Sequence, residues 1–144
     1  MKCRDVMSSD IVGCFANEPV YKAAEQMKDK DIGFIPVKDG SKKLVGVITD
    51  RDLACRILAD RKDYETPLEQ VMTRDIVTVK ADDDLEEAQR KMADRQIQRI
   101  CVVNDNFECI GVISLQDVTL RGSEEESGEL LREVKEGELG PAVH

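Results

Sequence analysis

The sequence predicts an α+β fold in which two tandem β-α-β-β-α units pack sheet to sheet about a pseudo-twofold axis. Two observations carry that expectation. The chain aligns with itself at an offset of 65 residues without a gap. Within each copy the apolar spacing passes from strand-like to helix-like in the same order.

The offset pairs Val6-Met7 with Val71-Met72, Asp10-Ile11-Val12 with Asp75-Ile76-Val77, and Gly46-Val47-Ile48 with Gly111-Val112-Ile113. Ala23, Met27, Ile32, Ile35, Val37 and Asp52 meet Ala88, Met92, Ile97, Ile100, Val102 and Asp117 in the same register. Each copy opens on a short β-branched strand, Ile11–Cys14 and Ile76–Val79. An amphipathic helix follows, with Val20, Ala23, Ala24 and Met27 on its apolar side in one copy and Leu85, Ala88 and Met92 in the other. Asn17 and Asp82 are the expected caps. Two strands come next, Gly33–Lys38 with Leu44–Thr49 and Arg99–Val103 with Cys109–Ser114, joined by the turn sequences KDGSKK and NDNFE. A last helix starts after Thr49 or Ser114, with Leu53, Ala54, Ile57 and Leu58 inward in the first copy.

These elements divide the chain into a first unit over 1–62, a second over 63–121 with a linker helix near 66–72, and an acidic helix and tail over 122–144. Thr66-Pro67 starts the linker helix with proline at its first position. Ser123 with Glu126 suggests a capping box, and Leu130, Leu131 and Val134 one apolar edge. A copy of about fifty residues buries too little surface to stand alone, so the two pack together and leave symmetric clefts.

Composition narrows the function. Of 144 residues, 41% are apolar and 35% charged, without a run long enough to span a bilayer, and the N-terminus has no apolar leader, so the expected location is cytoplasmic. A net charge of −9 with scattered Lys and Arg argues against nucleic acid as a partner. Cys3, Cys14, Cys55, Cys101 and Cys109 lack metal-ligand spacing and are expected as buried thiols. The only histidine is His144, at the terminus, which disfavours histidine-based catalysis.

The repeated corners, GVITDRD at 46–52 and GVISLQD at 111–117, have two readings. Thr49 with Asp52, and Ser114 with Asp117, fit reciprocal helix caps. The same residues suit a nucleotide: free N–H groups and a hydroxyl for phosphate, and a carboxylate one turn on for a ribose diol. Ile11-Val12 and Ile76-Val77 then cover an adenine face.

The duplicated order, VMSSDIV and VMTRDIV, the strand GFIPV, and the two corners together resemble a pair of cystathionine-β-synthase-type (CBS) domains, a Bateman module, over roughly residues 3–121. The resemblance implies a stand-alone, non-catalytic regulatory unit. It would require no cofactor and would bind AMP, ADP, ATP, NADH or S-adenosylmethionine in its clefts. It further implies a homodimer, packed through the small faces of Ala23, Ala24, Met27, Ala88 and Met92, that signals to a separate effector protein. By position, Thr49 and Asp52 serve one cleft, with Ile11, Val12, Ile35 and Pro36 lining the first adenine pocket. Ser114 and Asp117 serve the other, with Ile76, Val77, Ile100 and Cys101. Arg99 and Arg51 are the phosphate candidates, and the second corner, lacking arginine, is expected to bind more weakly. A ligand-free interaction scaffold is the alternative reading, and a small hydrolase a third.

Overall fold

The computed structural model of the protein describes residues 1–126, and the 65-residue offset reappears in it element by element. The first unit holds β1 (Cys14–Phe15), α1 (Val20–Lys30), β2 (Phe34–Lys38), β3 (Leu44–Thr49) and α2 (Asp50–Leu53), which continues as a π-helical turn over Ala54–Leu58. The second holds β4 (Thr78–Lys80), α3 (Leu85–Arg95), β5 (Arg99–Val103), β6 (Cys109–Ser114) and α4 (Leu115–Glu126). Each unit forms a three-stranded sheet, β1-β2-β3 and β4-β5-β6, the first pair parallel and the second antiparallel. Both sheets carry a bulge at the same place, Val37/Lys38 and Val102/Val103.

β1 is one residue shorter than β4, and Pro36 accounts for it. Thr78 pairs with Cys101 in the second sheet, whereas the equivalent Gly13 stands opposite Pro36, which has no N–H to give a ladder. Both opening strands also start later than Ile11 and Ile76.

The helix starts differ from expectation. α1 and α3 are preceded by Pro19 and Asp84, two residues beyond Asn17 and Asp82, and neither makes a side-chain cap. Val20 N–H donates instead to Thr66 O (2.8 Å) and Leu85 N–H to Met1 O (3.0 Å). Carbonyls from the segments leading into each unit thus satisfy the end groups that a cap would serve. The same contact keeps Thr66-Pro67 extended, so the linker forms only a three-residue 3-10 turn, Leu68–Gln70, and Pro67 precedes it.

The two leading segments are exchanged between the units. Leu68, Val71 and Met72 lie in the core of the first unit, with Ile35, Ile48 and Met27, while Cys3 and Val6 lie in the core of the second, with Ile100, Ile113 and Met92. Ser8 bridges to Val112 and Thr73 to Val47. A Cβ on Gly46 would stand 2.6 Å from Met72 Sδ, and one on Gly111 2.5 Å from Met7 Sδ. These glycines therefore make room for the exchanged methionines rather than for a neighbouring strand. A third cluster, Leu44, Cys101 and Val103 with Phe34, Val47 and Ile76, joins the sheets face to face.

Ala23, Met27, Ala88 and Met92 are buried on their own sheets, so the small helix faces serve the intrachain core and leave only Ala24 exposed among those five. Cys3, Cys14 and Cys101 are buried as expected, but Cys55 is exposed and Cys109 half-buried. Burial pushes the Cys3 and Cys14 thiols up to about 11. Ser123 falls inside α4, which runs unbroken past residue 121, so no helix starts there. Leu130, Leu131, Val134 and the acidic tail lie outside the described residues.

Candidate functional site

β3 ends at Thr49, whose hydroxyl accepts a hydrogen bond from Asp52 N–H (3.1 Å), and Asp52 Oδ2 accepts one from Thr49 N–H (3.0 Å). This is the reciprocal cap anticipated from the sequence. The second corner is looser: Ser114 Oγ accepts from Asp117 N–H (3.1 Å), and no return bond from Asp117 is formed among the described residues.

The first corner does not present free backbone donors. Asp50 N–H donates to Gly33 O (3.0 Å), Arg51 N–H to Asp50 Oδ1 (2.8 Å) and Asp52 N–H to Thr49. The helix-terminus phosphate site is corrected on that ground. The donors left free for an anion at this corner are therefore on side chains.

Those side chains open into a cleft of about 520 Å³, within the rough 300–1,000 Å³ range of small-molecule sites. Its walls combine Thr49, Arg51 and Asp52 of the first unit with Ile76, Val77 and Cys101 of the second. Arg95 and Arg99 also face it. Arg95 is paired with Asp75 at 2.9 Å, while Arg51 and Arg99 make no ion pair among the described residues. Three guanidinium groups balance the carboxylates of Asp50, Asp52 and Asp75. Cys101 lies on the cleft wall with its thiol pushed up by a hydrogen bond to Cys109 and by burial, so it stays protonated and presents a small apolar surface.

A second cleft, about 720 Å³, combines Ile11, Val12 and Pro36 with Ser114 and Asp117. Among the described residues Arg99 is its only cation, facing Asp10, Asp31, Asp50 and Asp117. Its field opposes a phosphate, whereas that of the first cleft does not.

The clefts are thus crossed relative to expectation. Ile11, Val12 and Pro36 lie with Ser114 and Asp117, and Ile76, Val77 and Cys101 with Thr49 and Asp52. The exchanged segments are the reason: residues after Met7 run along β6, and residues after Met72 run along β3. Ile35 and Ile100 leave the candidate set. They are 0% and 1% exposed and point into the helix-side cores, because alternate residues of a strand face opposite ways and Pro36 and Cys101 take the cleft side.

Arg56 does not line the cleft but contacts Asp52 and Thr73, which do, and the sequence reading missed it. Its guanidinium lies 3.3 Å from Asp52 Oδ1 and donates to Val71 O (2.7 Å) and Thr73 Oγ1 (3.0 Å). The spacing of four residues from Asp52 on one helix was the available signal. Among the described residues no group of three or more His, Cys, Asp or Glu is placed to hold a metal ion, and no helix is long and apolar enough to cross a membrane.

Comparison with known proteins matches the family model described as CBS domain twice, over residues 3–59 and 68–123. An uncharacterized protein of Bacillus subtilis, YlbB, is 36% identical over 139 residues, covering 95% of this chain and 93% of its own length. The CBS domain-containing protein YhcV of the same organism is 33% identical over 124 residues, covering 86% and 87%. The CBS domain pair of protein MJ0100, solved with 5′-methylthioadenosine and S-adenosyl-L-methionine, superposes with a TM-score of 0.77 at 26% identity, covering 88% of this chain and 98% of that one.

Proposed function

The chain belongs to the CBS-domain family, with the domain present twice, and on that premise we propose that it is a regulatory module binding a phosphorylated adenosyl ligand in the cleft of Thr49 and Asp52. The observation that carries the reading is the composition of that cleft. Asp52 stands ready for a ribose diol, Ile76 and Val77 for an adenine face, and the guanidiniums of Arg51 and Arg99, unpaired among the described residues, for phosphate. The adenosyl ligands of the MJ0100 domain pair support the ligand class. AMP, ADP, ATP and NADH fit this field better than the cationic S-adenosylmethionine. The acidic cleft of Ser114 and Asp117 takes such anions weakly. Binding shifts the packing of the two units and is read by a separate effector protein in the cytoplasm, with no reaction catalysed.

The module is proposed to act as a homodimer. Leu58 and Tyr64 are 78% and 66% exposed on the helical side of the first unit, apolar surface that an assembly would cover. Light scattering then gives twice the 16.1 kDa chain mass, and a monomer at micromolar concentration refutes it.

Thermal melts with AMP, ADP, ATP, NADH and S-adenosylmethionine at millimolar concentration test the ligand reading. A ligand at about a hundred times its Kd adds roughly 2.7 kcal/mol, worth about 5–11 °C. Asp52→Ala is expected to remove most of the shift and Asp117→Ala to preserve it. If no compound shifts the midpoint while both variants melt lower, the corners are caps of a ligand-free scaffold.

A further inference from the structure

Asp52 is held from two directions. Its Oδ2 accepts Thr49 N–H at 3.0 Å, and its Oδ1 faces the Arg56 guanidinium at 3.3 Å. A carboxylate offers about four lone-pair sites, so each oxygen keeps one for a ligand hydroxyl. The Asp52 side chain is only 15% exposed, and its orientation is set by those two partners.

Arg56 is itself fixed from the far side. Its Nη1 donates to Val71 O at 2.7 Å and to Thr73 Oγ1 at 3.0 Å, both in the segment that opens the second copy. Thr73 lines the same cleft and is bonded to Val47 in both backbone directions, at 2.9 and 3.0 Å. One guanidinium therefore spans the first copy's corner and the second copy's entry.

The second copy has the same residue type 65 positions on, Arg121, four residues after Asp117. No ion pair joins them among the described residues, and the segment equivalent to 71–73, around Val6 to Ser8, receives no side-chain hydrogen bond from Arg121. The bridge is a property of one cleft, not of the repeat.

We propose that Arg56 is a positioning residue of the Thr49 cleft: it aims Asp52 at the ribose diol and couples that grip to the entry segment of the second copy. This role rests on the adenosyl-ligand reading. A preorganised acceptor binds more tightly than one that must be ordered by the ligand, because the ordering cost is already met.

Isothermal titration with AMP and with its 2′,3′-dideoxy analogue, on wild type, Arg56→Met, Arg56→Lys, Asp52→Ala and the Asp52→Ala/Arg56→Met double variant, tests this. Arg56→Met is expected to weaken AMP binding about tenfold, a coupling of the size found between contacting residues. Binding of the dideoxy analogue is expected to be unchanged, since it lacks the hydroxyls that Asp52 would accept. Arg56→Lys, which retains a cation for Asp52, stays within about threefold of wild type, and guards against a Met variant that fails to fold. In the Asp52→Ala background Arg56→Met causes no further loss. A tenfold loss that persists in that background, or that extends equally to the dideoxy analogue, overturns the positioning role while leaving the ligand reading standing. Wild-type protein that binds none of AMP, ADP, ATP and NADH overturns the ligand reading, and the positioning role with it.

Discussion

Replacing Gly46 by alanine puts a methyl group where the exchanged segment lies. The new Cβ would stand 2.6 Å from Met72 Sδ, 2.9 Å from Met72 Cγ and 2.9 Å from the Thr73 carbonyl oxygen. The methionine can swing away, but the carbonyl cannot do so cheaply, because it accepts Val47 N–H at 3.0 Å. At Gly111 the three atoms nearest the equivalent Cβ all belong to Met7, at 2.5, 2.9 and 3.0 Å for Sδ, Cγ and Cβ. Overpacking of this kind costs about 1–3 kcal/mol. Gly46→Ala, which meets backbone, belongs at the upper end, and Gly111→Ala at the lower. At about 3 °C per kcal/mol for a chain of this size, the midpoint falls by about 6–9 °C for the first and about 3 °C for the second. Adding Met7→Ala recovers most of the Gly111→Ala loss in Sδ and Cγ contacts, at the expense of a partly buried side chain. Adding Met72→Ala recovers little of the Gly46→Ala loss, because the Thr73 carbonyl remains. Calorimetric melts of the ligand-free variants decide it. Both glycine variants melting within 1 °C of wild type would mean that Met7 and Met72 do not cover these positions, and the segment exchange would be wrong.

Ile35→Ala and Ile100→Ala each empty a core site, so urea unfolding should show a loss of about 2–5 kcal/mol, with nucleotide Kd unchanged at saturating fold. Arg51→Ala is expected to reduce the midpoint shift caused by ATP far more than that caused by S-adenosylmethionine, because only the former brings phosphates to the guanidinium; equal reductions would refute a phosphate contact. Thiol titration with a disulfide reagent at neutral pH should modify Cys55 quickly and Cys3 and Cys14 slowly, in line with their exposure. Stability should also fall as pH rises from 9 to 11. In that window the unfolded chain releases the Cys3 and Cys14 protons near the ordinary 9.0, while the folded chain keeps them until about 11, so alkali favours unfolding. A midpoint unchanged across that window would contradict the burial of these thiols.

The duplicated unit was legible because its signal is periodic and local: the offset, the helix stripes around Met27 and Met92, and the corner caps depend on residues near in sequence. The reciprocal Thr49–Asp52 bonds are of that kind. The segment exchange was not legible, since Val6-Met7 and Val71-Met72 are the same pair in both copies and either unit could receive either one. Crossing of the clefts followed from that ambiguity. The loss of Ile35 and Ile100 from the site was foreseeable, because strand alternation forbids Ile35 and Pro36 from sharing a face. Satisfaction of the corner N–H groups needed the Gly33 carbonyl, which only tertiary structure brings to Asp50. Arg56 had a sequence cue toward Asp52 but none toward Val71 and Thr73, fifteen and seventeen residues on.

In the function proposed above, an anionic adenosyl ligand sits in a composite cleft, held by the first copy's corner and covered by the second copy's entry segment. Co-crystallisation with whichever of AMP, ADP or ATP stabilises the protein most tests it directly. Ribose hydroxyls are expected on Asp52, phosphate near Arg51 and Arg99, and the adenine against Ile76 and Val77. Ligand density against Ile11 and Val12 beside Asp117, with the Thr49 cleft empty, would contradict it.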